Sequence, residues 1–322
     1  MHRNVSLYLL TLFALSSSAL AQDRWPSKAI RWIVPYAAGG FADLRARKLS
    51  IDLAKNLGQP VYIENRAGAG GVVGTDALAK AAPDGYTIGM GNLAALSVNV
   101  SLMKKLPYDP IKDVQPVVLV ERSALIFTAG QGLPVNTVQE VIAYAKANPG
   151  KLGFGSSGVG GAHHLSGEML KLRTGIDIVH VPYKGGAPAA ADLIAGHLPM
   201  MFEMGYAAVP SIKGGKIRAL AVTSSQRLPL LPEVPTMAES GLPGFESFNW
   251  QGVVVPAGTP RAIVDRLNRE LNAILALPEQ REAIIATASE VGGGTPEEFA
   301  ELIRSETTKW AEVVKAAKIQ PE

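Results

Sequence analysis

Ile30-Arg-Trp-Ile-Val-Pro-Tyr-Ala-Ala-Gly-Gly-Phe-Ala-Asp43 runs from a short apolar segment through Pro35 into a glycine loop, and Leu44 to Leu57 continue with helical periodicity. An apolar run bounded by a turn reads as a buried strand, so the loop sits where a strand feeds a helix. That junction is where open α/β sheets bind ligands. The first helical turn there offers unpaired backbone N–H groups at the positive end of the helix dipole, which suits a phosphate or a carboxylate. Residues 36–43 are therefore expected to form one lip of an anion-binding cleft, with Tyr36, Ala38, Gly39, Gly40, Phe41, Ala42 and Asp43 as candidate contacts.

The same cadence repeats along the chain. Residues 59–66 read as a second strand, 67–74 as a second glycine loop leading into a helix through Lys80, and 87–92 as a third strand after the turn Pro83-Asp-Gly-Tyr86. The second glycine loop is no dinucleotide fingerprint, because a G-x-G-x-x-G count from Gly68 lands on Val73. Strands are predicted at 114–120 and 124–129, flanking the charged pair Glu121-Arg122 where the chain leaves its first unit. Asn136 and Gln139 predict a capping box for a helix ending before Asn148. A strand at 152–155, the loop Ser156 to Gly161, a helix holding His163 and His164, a strand at 176–181, the loop Pro182 to Pro188 with a helix to about Ala195, and strands at 200–203 and 217–223 make a second set. Residues 228–245 read as a long surface connection. A returning strand at 250–256 follows, then a helix capped by Thr259 to about Leu277 and a last helix opened by Thr295-Pro-Glu-Glu298 and running to about Ala317.

Two strand-and-helix sets, separated near Glu121 and rejoined near Asn249, predict an α/β protein of two lobes, each a mostly parallel sheet flanked by helices. Lobe one is expected at 22–122 plus 249–322 and lobe two at 123–248, with the ligand cleft between them. The chain opens with Arg3, a short apolar core and Ala19-Leu-Ala21, the pattern of a secretory signal peptide over residues 1–21. The 322 residues include no cysteine, so disulfides, a lipid-bearing cysteine and thiolate metal sites are all excluded. A formal net charge of +3 without a basic block argues against nucleic-acid binding.

Opposite the first lip, backbone donors around Ser156 to Gly161 and at Gly185 and Gly186 can reach the same anion, with Ser156, Ser157, Gly160 and Gly161 as candidate contacts. No cationic side chain is required for this, and neither a cofactor nor a metal is expected. Asp43 either bonds an amino group of the ligand or sits as a favoured first-turn carboxylate. Arg45 reads as surface charge. Asn92 ends a strand, a functional address as well as a good turn position. Adjacent His163 and His164 point about 100° apart on a helix, so only one of them, His163, is taken toward the ligand. Tyr183, Lys184, Gly185 and Gly186 form the ligand loop of the second lobe, and Glu203 closes a strand where it either selects an amino group or holds a contact between lobes. A secreted hydrolase is the rival reading, but neither Ser156 nor Ser157 stands in G-x-S-x-G.

The stretches Pro60-Val-Tyr-Ile-Glu-Asn-Arg-Ala-Gly-Ala-Gly-Gly71, Ala81-Ala-Pro-Asp-Gly-Tyr86, Leu106-Pro-Tyr-Asp-Pro110, His180-Val-Pro-Tyr-Lys-Gly185, Pro235 to Phe245 and Pro256-Ala-Gly-Thr-Pro260 resemble the periplasmic solute-binding proteins of the tripartite tricarboxylate transporter family, also called the Bordetella uptake gene family. The resemblance implies a Venus-flytrap receptor of type II-like build. It would be a monomer closing on a small organic mono-, di- or tricarboxylate, often through bridging waters. A large and a small integral membrane subunit would be its transport partners, with sensing as the other use. Phe41 and Ala42 stand where the family pattern usually carries a small hydroxyl residue, Arg45 where it is apolar, and Gly161 and Ala162 where serine or threonine is frequent. The lost hydroxyls and the added ring point to a carboxylate with an apolar or aromatic body rather than citrate.

Overall fold

The computed structural model describes residues 25–183 and 185–320, so the predicted signal peptide and Lys184 lie outside the described residues. Strand β1 (Ile30–Val34) is buried along most of its length, as a parallel strand covered on both faces requires. It pairs in parallel with β2 (Val61–Asn65) and with β3 (Thr87–Asn92). The first crossover is α1 (Phe41–Leu57), which buries Ala42, Ala46, Leu49, Leu53 and Leu57 at three- and four-residue spacing and ends where Gly58 turns left-handed. The second is α2 (Val72–Ala79). A π-helical turn at Ala94–Val98 runs from β3 into the short α3 (Asn99–Leu102).

The centre of the molecule is β4 (Val114–Gly130), 17 residues long. Its first part, Val114 to Ala124, pairs antiparallel with β9 (Phe248–Pro256), which also pairs antiparallel with β3. Its second part, from Leu125, pairs antiparallel with β7 (Met200–Met204) and, from Ile126, with β8 (Ile217–Val222). Strand β5 (Leu152–Ser156) then joins β7 to β6 (Ile178–Pro182) in parallel. The strand order is β2-β1-β3-β9-β4-β7-β5-β6, with β8 and β10 (Ser289–Gly293) attached to β4. Around this sheet lie α4 (Val138–Ala147), α5 (Ala162–Thr174), α6 (Gly186–Ala195), α7 (Gly205–Lys213), α8 (Arg261–Leu275), α9 (Pro278–Ile285) and α10 (Pro296–Ala316).

Several expectations are corrected. The sheet is mixed rather than mostly parallel, because β4 and β9 pair antiparallel with every neighbour. The two predicted strands at 114–120 and 124–129 are one. Glu121 and Arg122 do not break it, since Glu121 is buried against a partner charge and Arg122 lies 4.0 Å above the Phe248 ring. The cap of α4 is Thr137, whose side chain accepts from the Glu140 N–H, one residue beyond the predicted Asn136. Thr259 donates to the Pro256 carbonyl instead of capping α8. Residues 228–245 are no surface strap: Leu228, Leu231, Val234, Met237, Leu242 and Phe245 are all buried. The capping box at Thr295 and Glu298 is present. Helix α10 then packs on the π-helical turn, α3, β4 and α5, tying the first strand set to the second.

Arg45 is buried, not surface charge. Its guanidinium makes two 2.9 Å hydrogen bonds to the Glu121 carboxylate and donates to the Ala283 carbonyl and the Thr287 hydroxyl, both at 3.3 Å. Gln251 of β9 donates to the same carboxylate. Helix α1, the centre of β4, β9 and the α9–β10 turn thus meet at one neutralised charge. Arg45→Met leaves Glu121 buried and unpaired and is expected to lower stability by about 3–5 kcal/mol in urea unfolding, with much of the loss recovered in Arg45→Met/Glu121→Leu.

Candidate functional site

A cavity of about 470 Å³ opens at the carboxyl ends of β1, β3, β5 and β7. The β1–α1 loop contributes Tyr36, Ala37, Gly40, Phe41 and Ala42; the end of β3 gives Asn92, Leu93 and Ala94; the β5–α5 loop and first turn give Ser157 to His163. Gly185 and Gly186, Met204 and Tyr206, and Asn249 and Gln251 complete the wall, with Gly70 and Asn99 at its edge.

Four helices begin at this cavity, and none has a side-chain cap: α1 at Gly40, α5 at Gly161, α6 at Gly185 and α7 at Met204. Among the described residues the N–H groups of Phe41, Ala42, Ala162, His163 and Gly186 have no hydrogen-bond partner, and all five residues line the cavity. Helix N-termini converge their unpaired amides and positive dipole ends on the same space. No lysine or arginine stands among the described lining residues. The rest of the wall mixes the polar side chains of Asn92, Asn99, Ser157, His163, Asn249 and Gln251 with apolar ones, and Phe41 stacks on Tyr206 with ring centres 5.2 Å apart and planes 12° from parallel.

The predicted residues divide. Tyr36, Gly40, Phe41, Ala42, Asn92, Ser157, Gly160, Gly161, His163, Gly185 and Gly186 line the cavity; Ala38, Gly39, Asp43, Ser156, Tyr183 and Glu203 do not. Gly39 and Gly40 are not free donors, because Gly39 N–H is held by the Asp43 carboxylate at 2.8 Å and Gly40 N–H reaches the Ala37 carbonyl at 3.3 Å. The free amides lie one step further on, at Phe41 and Ala42. Asp43 accepts from Gly39, from Arg47 at 2.9 Å and from Asn65 at 2.9 Å, and Asn65 also donates to the Tyr36 carbonyl at 3.0 Å. It bolts the lip to α1 and β2 and has no oxygen left for a ligand amine. Tyr183 donates to Asp192 at 2.8 Å, and Ser156 is taken up by His180 at 2.6 Å.

Tyr36 shows why the second glycine run is there. Its hydroxyl accepts from Asn92 and lies where a Cβ on Gly71 would come within 2.9 Å, and Gly71 has a φ of +94°. Burial pushes the Tyr36 phenol up to about 12, so it stays neutral. Asn92 turns its other end to the Ala95 N–H at 3.1 Å, fixing the start of the π-helical turn. On the second side, His164 accepts from Gly160 N–H at 3.1 Å and stacks on His180 at 3.8 Å. Burial, the neighbouring ring and Lys171 depress His164 to about 3, while burial and Lys171 depress His180 to about 4, so both rings are neutral near pH 7. Neutral His164 holds Gly160 at a φ of +76° directly against Leu102 of α3.

Sequence reading missed Tyr206, Asn249 and Gln251. Tyr206 opens a helix unforeseen from sequence because Pro210 lies inside it. Asn249 and Gln251 lie on a returning strand whose register with β4 is fixed only in three dimensions. Among the described residues no group of three or more His, Asp or Glu could hold a metal ion.

Burial tends to raise the Asp43 carboxyl, but hydrogen bonds from Arg47, Gly39 and Asn65 outweigh it and hold the group below the usual carboxylate range. The stabilisation is then complete above the unfolded value of about 3.9 and is lost as pH falls through the lower folded value. Asp43→Asn is expected to cost about 1–3 kcal/mol at pH 7, with the gap to the parent closing as urea titrations move toward about pH 2.

The sequence profile of the family described as Tripartite tricarboxylate transporter family receptor matches residues 45–319. Protein BugT of Bordetella pertussis is 40% identical over 300 residues, covering 93% of this chain and 92% of that protein. The solved structure of R. palustris Rpa4515 with adipate is 36% identical with a TM-score of 0.85, covering 92% of this chain and all of the other. MatC from Rhodopseudomonas palustris, solved with bound malate, is 34% identical with a TM-score of 0.80 over 90% of this chain and all of that one.

Proposed function

Because the chain belongs to the tripartite tricarboxylate transporter receptor family, we propose that its cavity captures one carboxylate of a small organic acid between two closing lobes. Receptors of this family bind solutes for transport, and residence in the periplasm goes with membership. The observation that carries the proposal is the set of unpaired amides at Phe41, Ala42, Ala162, His163 and Gly186 around a space without lysine or arginine among its described lining residues. Hydrogen bonds to a charged group are each worth about 1.5–3 kcal/mol net, so three or four of them reach the roughly 8 kcal/mol of micromolar binding after ordering costs. A phosphate would meet the same amides, but the two R. palustris relatives were solved with adipate and with malate, both dicarboxylates.

The lobes are 22–122 plus 249–322 and 123–248. Support comes from β4 and β9, which part company after the Ala124–Phe248 pair, where β4 goes on to β7 and β8. Phe41 on Tyr206 and Gly160 on Leu102 are then contacts made across the cleft, the geometry of a closed trap. Docking of the loaded receptor to a large and a small integral membrane subunit would then precede release. Residues 1–21 serve as the export signal, cleaved after Ala21.

Phe41, Leu93, Ala94, Val159, Met204 and Tyr206 give the cavity its apolar body. The ligand therefore carries an alkyl or aromatic middle behind its carboxylate, and adipate in the R. palustris relative is of that kind. Calorimetry with adipate, an aryl-alkanoate and citrate tests both levels: the first two are expected to bind at least about tenfold more tightly than citrate, whose third charge and hydroxyl face the apolar part of the wall at Phe41, Leu93, Val159, Met204 and Tyr206. Tightest binding of citrate would remove the apolar-body reading, and binding of none would remove the carboxylate receptor.

A further inference from the structure

Two polar atoms, Nε2 of His163 on the cavity wall and Oε2 of Glu203 just behind it, are buried without a hydrogen-bond partner among the described residues. Their side chains adjoin, with His163 Nε2 3.4 Å from Glu203 Oε1 and side-chain exposures of 10% and 3%. The other ring nitrogen, Nδ1, is 3.0 Å from the Ser157 hydroxyl. Ser157 and His163 face the cavity, Glu203 stands behind them, and Gly186 lies against the pair, where a Cβ would sit in ordinary contact at 3.7 Å from His163 Nε2 and 3.9 Å from Glu203 Oε1. His163 is the one described lining residue whose side chain can become a cation.

Resting on the carboxylate reading above, we infer that capture of the acid draws one proton from solvent onto His163, with Glu203 as the counter-charge and Ser157 as the donor that this proton turns toward the ligand. In the neutral ring, Nε2–H points at Glu203 and Nδ1 accepts the Ser157 hydroxyl hydrogen, so Ser157 shows the cavity only lone pairs, which repel a carboxylate. Protonation puts a hydrogen on Nδ1. It donates to Ser157 Oγ, and the serine hydrogen is released to donate to the bound anion. One proton thus supplies a positive charge and an extra donor together, and it leaves with the ligand.

The charged and titratable groups on the surrounding elements do not replace this role. On α5 itself, His164 is turned away into its stack with His180, and Glu168 is bonded to Lys171 at 3.0 Å. On α7, burial and Glu203 raise the Tyr206 phenol, which stays neutral. On α6, Asp192 accepts from the Tyr183 hydroxyl. On the first lip, Asp43 is bonded to Arg47, and Arg45 and Glu121 neutralise each other. Lys184 lies outside the described residues.

The protonated state offers the ligand one charge-assisted donor more than the neutral state, so by reciprocity the two states should differ about tenfold or more in affinity. The probe is adipate, titrated calorimetrically into the full mature chain at about pH 6 to 8 in phosphate and in Tris, whose ionisation heats differ. The parent is expected to take up a fraction of a proton per adipate and to weaken steadily as pH rises. His163→Gln keeps a neutral amide at the site and should bind with no buffer-dependent heat and a flat pH profile. Glu203→Gln should retain binding with reduced uptake. Adipate binding by the parent without proton uptake, or equal uptake in His163→Gln, overturns the inference and leaves the receptor reading standing. Absence of binding by any acid at any pH removes both.

Discussion

The buried pair of Arg45 and Glu121 is the contact on which the rest of the architecture depends. Arg45 belongs to the helix that carries the first lip, and Glu121 to the strand that runs through both strand sets. Two charges taken out of water are tolerated only when geometry is good and remaining hydrogen-bonding capacity is met. Here Gln251, Thr287 and the Ala283 carbonyl meet it. The consequence reaches the cavity directly, since Gln251 lines it and is held by the same carboxylate. The start of α1 is thereby set at a fixed place relative to β9, and with it the Phe41 and Ala42 amides.

From that frame follows the way the site handles negative charge. A fixed arginine in the cavity would bind anions strongly, but it would cost desolvation in the closed state and hold the ligand after opening. Amides at helix starts carry partial charges that are already oriented, so little reorganisation is needed on binding. Under the proposed closure their affinity falls when the two sides separate, which is what a carrier that must release its cargo requires. Asp43 contributes by not binding: a carboxylate spent on Gly39, Arg47 and Asn65 makes the lip rigid and keeps its own charge engaged away from the anion.

Much of the fold is legible in the sequence, and the limits have physical causes. The strands at 30–34 and 87–92, the helix to Ala195 and the capping box at Thr295 follow from local rules of burial, turn chemistry and capping. The single long strand through Glu121 does not, because a charge in an apolar run signals a boundary unless its partner is known, and that partner is 76 residues away. Arg45 fails for the same reason. The short α9 and β10 lack periodicity long enough to read. At the site, glycine loops mark where the helices begin, yet only coordinates show which amides are spent, as at Gly39, and which remain, as at Phe41. Tyr206 reaches the cavity only because β4 brings the second strand set alongside the first.

In the proposed site, uncapped helix starts rather than a permanently charged lysine or arginine hold the ligand carboxylate. Backbone ¹H–¹⁵N spectra of the isotope-labelled mature chain with and without adipate test it most directly. The amide protons of Phe41, Ala42, Ala162, His163 and Gly186 are expected to move downfield together on saturation, as donors newly bonded to an anion do. Saturable binding that leaves these five amides in place would contradict it.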